Sequence, residues 1–279
     1  MPEDRHNSAV NGGLFTDVPA FVQGLAFAGL PADVVAQARR CLLDLIGVAA
    51  AGSRTSAAQI VNHYAATQLR SSETESRMLF DGRRASPAGA AFAGAATIDS
   101  FDAHDGHVLI KGHAGVVVLP TLLAMVDSGA ACDDREFITA LVLGYEVATR
   151  AGIALHASAV EPHCSGTWNA IACAAIGARL LGLGNGQIRH ALGIAEYFGP
   201  RGQLARICDS PSLAGPVTAG FARTTQPQQS AIAQIADIGL RRGQPTPRAL
   251  SLNRFANRGP ESFPPPFAVN ATAGFSTGL

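Results

Sequence analysis

Lysine is almost absent: Lys111 is the one lysine in the chain. Charge is sparse overall, at 15% of 279 residues, and 21 basic against 21 acidic side chains leave no formal net charge. Basic residues cluster only as the pairs Arg39-Arg40, Arg83-Arg84 and Arg241-Arg242. This argues against an electrostatic grip on nucleic acid or on an anionic membrane. Cysteine is scarce too. Cys41, Cys132, Cys164, Cys173 and Cys208 are odd in number and widely spaced, with no C-x-x-C. That excludes a disulfide framework or zinc ribbon as the organising device and predicts reduced thiols in a cytoplasmic protein. The chain has no G-x-x-x-x-G-K-[ST], no H-E-x-x-H and no G-x-S-x-G. Gly182, Gly184 and Gly186 follow a helical pattern and lack the third glycine of a dinucleotide fingerprint, so they read as a helix C-cap and turn. The start, M-P-E-D-R-H-N-S, has no apolar core, which predicts no signal peptide. The longest apolar run, Ala114 to Val126, is short for a bilayer and reads as a buried helix.

What is present is apolar and helical. Hydrophobic residues make up 47% of the chain, a globular composition with enough length for a substantial core. Residues 1–14 read as a disordered arm. Thr16 and Asp17 with Pro19 predict a helix ending near Gly29, and Pro31 opens a second that Gly52 stops. In that second helix Val34, Val35, Ala38, Leu42, Leu45, Ile46 and Ala49 mark the inward stripe. A third helix from Ser56 to Leu69 carries Ile60, Val61 and Tyr64. Around Asp81-Gly82 a short strand and turn is the one β element expected in the first two hundred residues. Further helices are predicted over Ala88–Ser100, Ala114–Ser128, Asp133 to Leu155, Gly166–Leu181 and Gly186–Phe198. Beyond Ser212 periodicity is lost. One weak helical pattern, Gln229 to Leu240, remains, and residues 245–279 read as a disordered tail.

The polar exception is D-S-F-D-A-H-D-G-H-V-L-I-K-G-H-A-G-V-V-V-L-P, from Asp99 to Pro120. It gathers Asp99, Asp102, Asp105, His104, His107, His113 and Lys111 between two apolar helical stretches. So many titratable groups beside apolar helices point to an acid–base site on a loop, set against a plain polar surface loop. A second polar knot, His156 to Thr167, holds Glu161, His163, Cys164 and Ser165. Removing a proton next to a carboxylate needs a positioned base and fixed donors for the developing charge. Asp102 and Asp105 supply bases or orienters, His113 and His163 acid–base groups near neutral pH, and Lys111, Arg201 and Arg206 cationic partners. A divalent ion held by His104, His107 and His113 with Asp102 and Asp105 is the competing arrangement. Lys111 among those side chains argues against it.

D-A-H-D-G-H…K-G-H-A-G-V-V-V-L-P-T-L-L-A resembles the signature of the MmgE/PrpD family. So do G-Y-E-V-A-T-R at 144–150, H-C-S-G-T-W at 163–168, and A-R-L-L-G-L with A-L-G-I-A between 178 and 195. That family includes methylcitrate dehydratases, cis-aconitate decarboxylases and iminodisuccinate epimerases. The resemblance implies an all-α bundle over residues 15–212, a homodimer, no cofactor and no metal, and a lyase or epimerase acting on a small di- or tricarboxylate. It places Asp102, Lys111, His113 and His163 as catalytic residues. By their side-chain chemistry Asp105, His107, Arg201 and Arg206 read as substrate-binding groups. Gly106 stands where decarboxylase-like members have threonine, which argues against that branch, and K-G-H resembles epimerase-like members. After D-S-P-S at 209–212 the family's lysine-bearing stretch and α+β lid domain are expected. Leu213-Ala-Gly-Pro-Val-Thr carries no lysine, and residues 213–279 look atypical. The chain therefore reads as a family member cut short after its helical domain, with a catalytically impaired dimerising fragment as the alternative.

Overall fold

Side-chain caps start four of the helices at the positions the sequence suggests. Asp17, Thr55, Ser86 and Asp133 each accept a backbone N–H three residues on, satisfying donors a helix start leaves free. The computed structural model describes residues 17–161 and 163–199. Its helices are α1 (Val18–Gly24), α2 (Ala32–Gly52), α3 (Ser56–Gln68), α4 (Pro87–Asp99), α5 (Gly115–Asp127), α6 (Asp134–Ser158), α7 (Gly166–Leu180) and α8 (Asn185–Phe198). Strands β1 (Ser76–Arg77) and β2 (Arg84–Ala85) pair antiparallel, Ser76 opposite Ala85. Gly82, at φ +81°, makes the tight bend between them. The architecture is thus all-α with one small hairpin. Arg201, Arg206, the weak helix at 229–240, and the arm and tail at the two ends lie outside the described residues.

Two local expectations are corrected. The first helix stops at Gly24, and a separate 3₁₀ turn covers Phe27–Gly29. In α2 the buried stripe is Ala38, Cys41, Leu45, Val48 and Ala49, so Ile46 faces outward. Cys41 and Val48, small enough to pack closely, carry the stripe in its place. Ile60 and Tyr64 of α3 are likewise exposed, with Val61 the inward residue.

Helix α4 is buried along almost its whole length, because its alanines and glycines let α2, α3 and α5 approach closely. Helices α5, α6 and α7 pack on one another beside it, and α8 and α1 close the far side of α7. Helix α6 is long and apolar enough to cross a membrane by length and composition, although no single run predicted this. Its apolar stretch is 78% buried against the other helices, the position of a core helix.

Arg179 fastens this outer layer. Its guanidinium pairs with Glu136 of α6 and donates to the Val22 and Leu25 carbonyls at the end of α1, at 2.7 and 2.8 Å. These are the orphan carbonyls of a helix C-terminus. Arg179→Met leaves them and Glu136 unmatched and should cost about 2–3 kcal/mol, discounted from a fully buried pair because Glu136 keeps some solvent. Urea unfolding should show the midpoint falling at constant m-value.

Candidate functional site

The loop between α4 and α5 carries most of the polar residues, and its shape is set by one apolar anchor. Ile110 is fully buried, seated against Gly152 of α6 near Trp168 of α7. The loop turns back on itself around this anchor, with the His107 N–H bonded to the Gly112 carbonyl at 3.0 Å. Lys111 and Asp102 both adopt left-handed backbone, at φ +46° and +49°. For residues with a Cβ this costs of order 1–3 kcal/mol each, a strain that marks an over-determined loop.

The second polar knot is stitched to this loop through the main chain of His113. Its N–H donates to Ser165 Oγ at 3.1 Å, and its carbonyl accepts from Asn169 Nδ2 at 2.8 Å. Gly112 is needed at this seam, since a Cβ there would overlap Ser165 Oγ and stand 3.0 Å from the Trp168 ring. His113 is therefore bonded through its own main chain to Ser165, two residues along the chain from His163.

Backbone carbonyls fix the tautomers of both histidines. His113 Nδ1 lies 2.7 Å from the Asp105 carbonyl, and His163 Nδ1 lies 2.9 Å from the Glu161 carbonyl. A carbonyl only accepts, so each Nδ1 carries the proton and each Nε2 keeps its lone pair. His104 packs against His113 with ring centroids 4.2 Å apart and the planes tilted by 45°, and Asp99 Oδ1 lies 3.6 Å from His104 Nε2 with both side chains buried.

Asp105 turns its carboxylate inward, where Oδ1 is buried and Oδ2 accepts the Gly115 N–H at the start of α5 at 3.4 Å. Burial pushes this carboxyl up to about 6, against the pull of His113 and the Gly115 N–H. Gly115 must lack a side chain, because a Cβ would overlap both Asp105 Oδ1 and the Tyr145 hydroxyl. His107 is half-buried, and its ring is held below the usual histidine range by desolvation. Lys111 is exposed, and its charge acts on His156.

His156, near the end of α6, was not singled out by sequence reasoning. Its Nε2 accepts the His163 N–H at 3.2 Å. Only a neutral ring can do so, and burial together with the nearby Lys111 charge holds His156 below its usual range. A histidine seven residues upstream of another, at the end of a predicted helix, was the available signal. The unfolded imidazole protonates near pH 6.5, above the folded ring, so the His156 contribution is complete above that value. It is lost as pH falls below it. The stability difference between wild type and His156→Gln should therefore shrink from pH 7 toward pH 5.5 in paired urea titrations.

A sequence profile of the MmgE/PrpD N-terminal domain matches residues 16–202. Cis-aconitate decarboxylase of Aspergillus terreus is 27% identical over 202 residues, covering 70% of this chain and 41% of its own length. The cis-aconitate decarboxylase-like protein oryM of Aspergillus oryzae (strain ATCC 42149 / RIB 40) is 27% identical over 202 residues, 68% of this chain and 41% of its own. The chain spans about two fifths of the length of these curated relatives.

Proposed function

The chain belongs to the MmgE/PrpD family, and from that premise we propose that it is a lyase-type enzyme moving a proton at a carbon beside a carboxylate of a small di- or tricarboxylate. The observation that carries this is the pair of histidines on adjoining loops, each with Nδ1–H spent on a backbone carbonyl and Nε2 left with its lone pair. His113 Nε2 takes the proton. The imidazolium so formed keeps its Nδ1–H bond to Asp105, so no reorganisation is needed as charge develops. His163, held through its main chain by His156, serves as the second acid–base group. Lys111 anchors a substrate carboxylate, and Asp102, exposed beside the His104–His113 pair, steadies the imidazolium charge. Asp105 acts from beneath, as a positioning residue for His113.

One named relative is a cis-aconitate decarboxylase and the other a decarboxylase-like protein, whereas Gly106 departs from the decarboxylase-like pattern. Dehydration, epimerisation and decarboxylation share proton transfer next to a carboxylate, and the proposal is limited to that step. The alternative reading is a helical domain that dimerises without turnover. A homodimer belongs to the proposal in either case. The test is incubation of the protein with cis-aconitate, methylcitrate and iminodisuccinate in D₂O, followed by proton NMR. Deuterium entering one of them faster than in buffer supports the enzyme. No exchange in any of them, from a folded dimer, supports that alternative.

A further inference from the structure

We propose that Tyr145 of α6 is a positioning residue for proton transfer at His113 and acts through Asp105: its hydroxyl donates to the Asp105 carboxylate and keeps it ionised beneath the imidazole. The contact stands on geometry, and its effect on turnover rests on the function proposed above. Tyr145 is buried midway along α6. Its hydroxyl and Asp105 Oδ1 converge on the bare Cα of Gly115, where a Cβ would overlap both, and the fully buried Leu45 of α2 closes a third side of that point. Both oxygens are buried, and neither has a partner at standard hydrogen-bond geometry among the described residues. Buried polar atoms left without partners are costly, and a small rotation of the phenol or the carboxyl toward the other satisfies both. Asp105 Oδ2 is already engaged, by the Gly115 N–H.

The chemistry of the pair suits this role. Burial and the neighbouring Asp105 charge push the phenol well above its ordinary range, so it stays an O–H donor. Cys41 of α2 is the competing acceptor for that proton. Its sulfur is a weak acceptor that already takes Gln37 Nε2–H at 3.6 Å, and burial pushes its thiol up as well. A carboxylate accepts far more strongly. Around Asp105, burial and the charge of Asp44 on α2 favour the neutral acid. The charge at His113, the Gly115 N–H and the Tyr145 hydroxyl favour the carboxylate. The balance leaves Asp105 pushed up to about 6, so removing one donor turns it toward the neutral acid near neutral pH. A neutral Asp105 cannot compensate the imidazolium that forms when the substrate proton moves to His113 Nε2. The same residue holds His113 Nδ1–H with its carbonyl, so Tyr145 bears on the ring through charge and through position. Tyr145 itself neither gains nor loses a proton in the step.

Carbon-13 NMR of the full chain, labelled in aspartate and tyrosine side chains, tests the contact without any activity measurement. In wild type the Tyr145 Cζ resonance should move with the same midpoint as the Asp105 carboxyl. Tyr145→Phe keeps the buried ring and should raise the Asp105 midpoint by about one pH unit, the tenfold effect of losing a hydrogen bond to a charged group. Asp44→Asn removes a like charge and should not raise it. The acid limb of deuterium exchange should move up in Tyr145→Phe by the same amount, and raising the pH should restore the rate, which a merely structural loss would not allow. A Tyr145 resonance in wild type that ignores the Asp105 titration would overturn the contact. So would an Asp105 midpoint that stays in place in folded Tyr145→Phe, or one that rises equally in Asp44→Asn and so marks a general loosening of the loop. A shifted carboxyl beside an unmoved exchange profile would overturn the positioning role. A wild type that shows the shared titration but exchanges no substrate would uphold the contact and count against the proposed function.

Discussion

His113→Gln should slow deuterium exchange into the polycarboxylate substrate by roughly 10²–10⁴-fold, the range that positioned acid–base catalysis supplies. The fold should persist. The contacts that lock position 113 into the seam, from its N–H to Ser165 and from Asn169 to its carbonyl, are main-chain contacts that glutamine keeps. Glutamine can also reach the Asp105 carbonyl with an amide N–H, but it carries no nitrogen lone pair that accepts a proton near neutral pH. Helical circular dichroism and the urea midpoint should therefore stay close to wild type while exchange collapses. If exchange continued at the wild-type rate, His113 would not be the base, whatever the reaction class.

Trp168→Ala should remove about 3–5 kcal/mol of stability, the cost of emptying a large aromatic site in a core. Trp168 is 1% exposed and fills the space where α7, α6 and the polar loop meet. A Cβ built on Gly112 would lie 3.0 Å from its ring and one on Gly152 3.1 Å, so the indole sets how closely both backbones approach. For a helical body of this size the loss corresponds to a fall in melting temperature of roughly 10 °C. Exchange should fall as well, because Gly112 precedes His113, the proposed base, and loses its backing. Thermal denaturation and the exchange assay read the two effects on one sample. A stable Trp168→Ala variant with unaltered exchange would show that the indole is dispensable to the seam.

The helices were legible because their signals are local. Asp17, Thr55, Ser86 and Asp133 cap where a short polar side chain precedes an apolar pattern, and α4 announces its central place by having almost nothing but small residues. The facing of α2 and α3 was less legible. A stripe of seven apolar residues can be rotated by one position without losing its period, and the buried Cys41 and Val48 decide the rotation only once α4 and α6 are present.

Within the site, residue type pointed to Asp102, Lys111, His113 and His163 but not to how they are held. Left-handed backbone at Asp102 and Lys111 has no glycine to betray it. The inward turn of Asp105 depends on Tyr145 and Gly115, ten or more residues away in the chain. The His156–His163 bond joins a side chain to a main-chain N–H across a loop, and no spacing rule registers such a contact. The MmgE/PrpD resemblance supplied the family. It took the fold to show that two loops are sewn together at His113.

Imidazole tautomers are read directly by long-range proton–nitrogen NMR of the uniformly labelled protein. In their neutral form, His113 and His163 should both show a protonated Nδ1 and an unprotonated Nε2, because backbone carbonyls of Asp105 and Glu161 face Nδ1 in each ring. Spectra showing the Nε2–H tautomer at either residue, or rapid averaging between the two forms, would contradict the claim that these rings are fixed by their own loops with the proton-accepting nitrogen free.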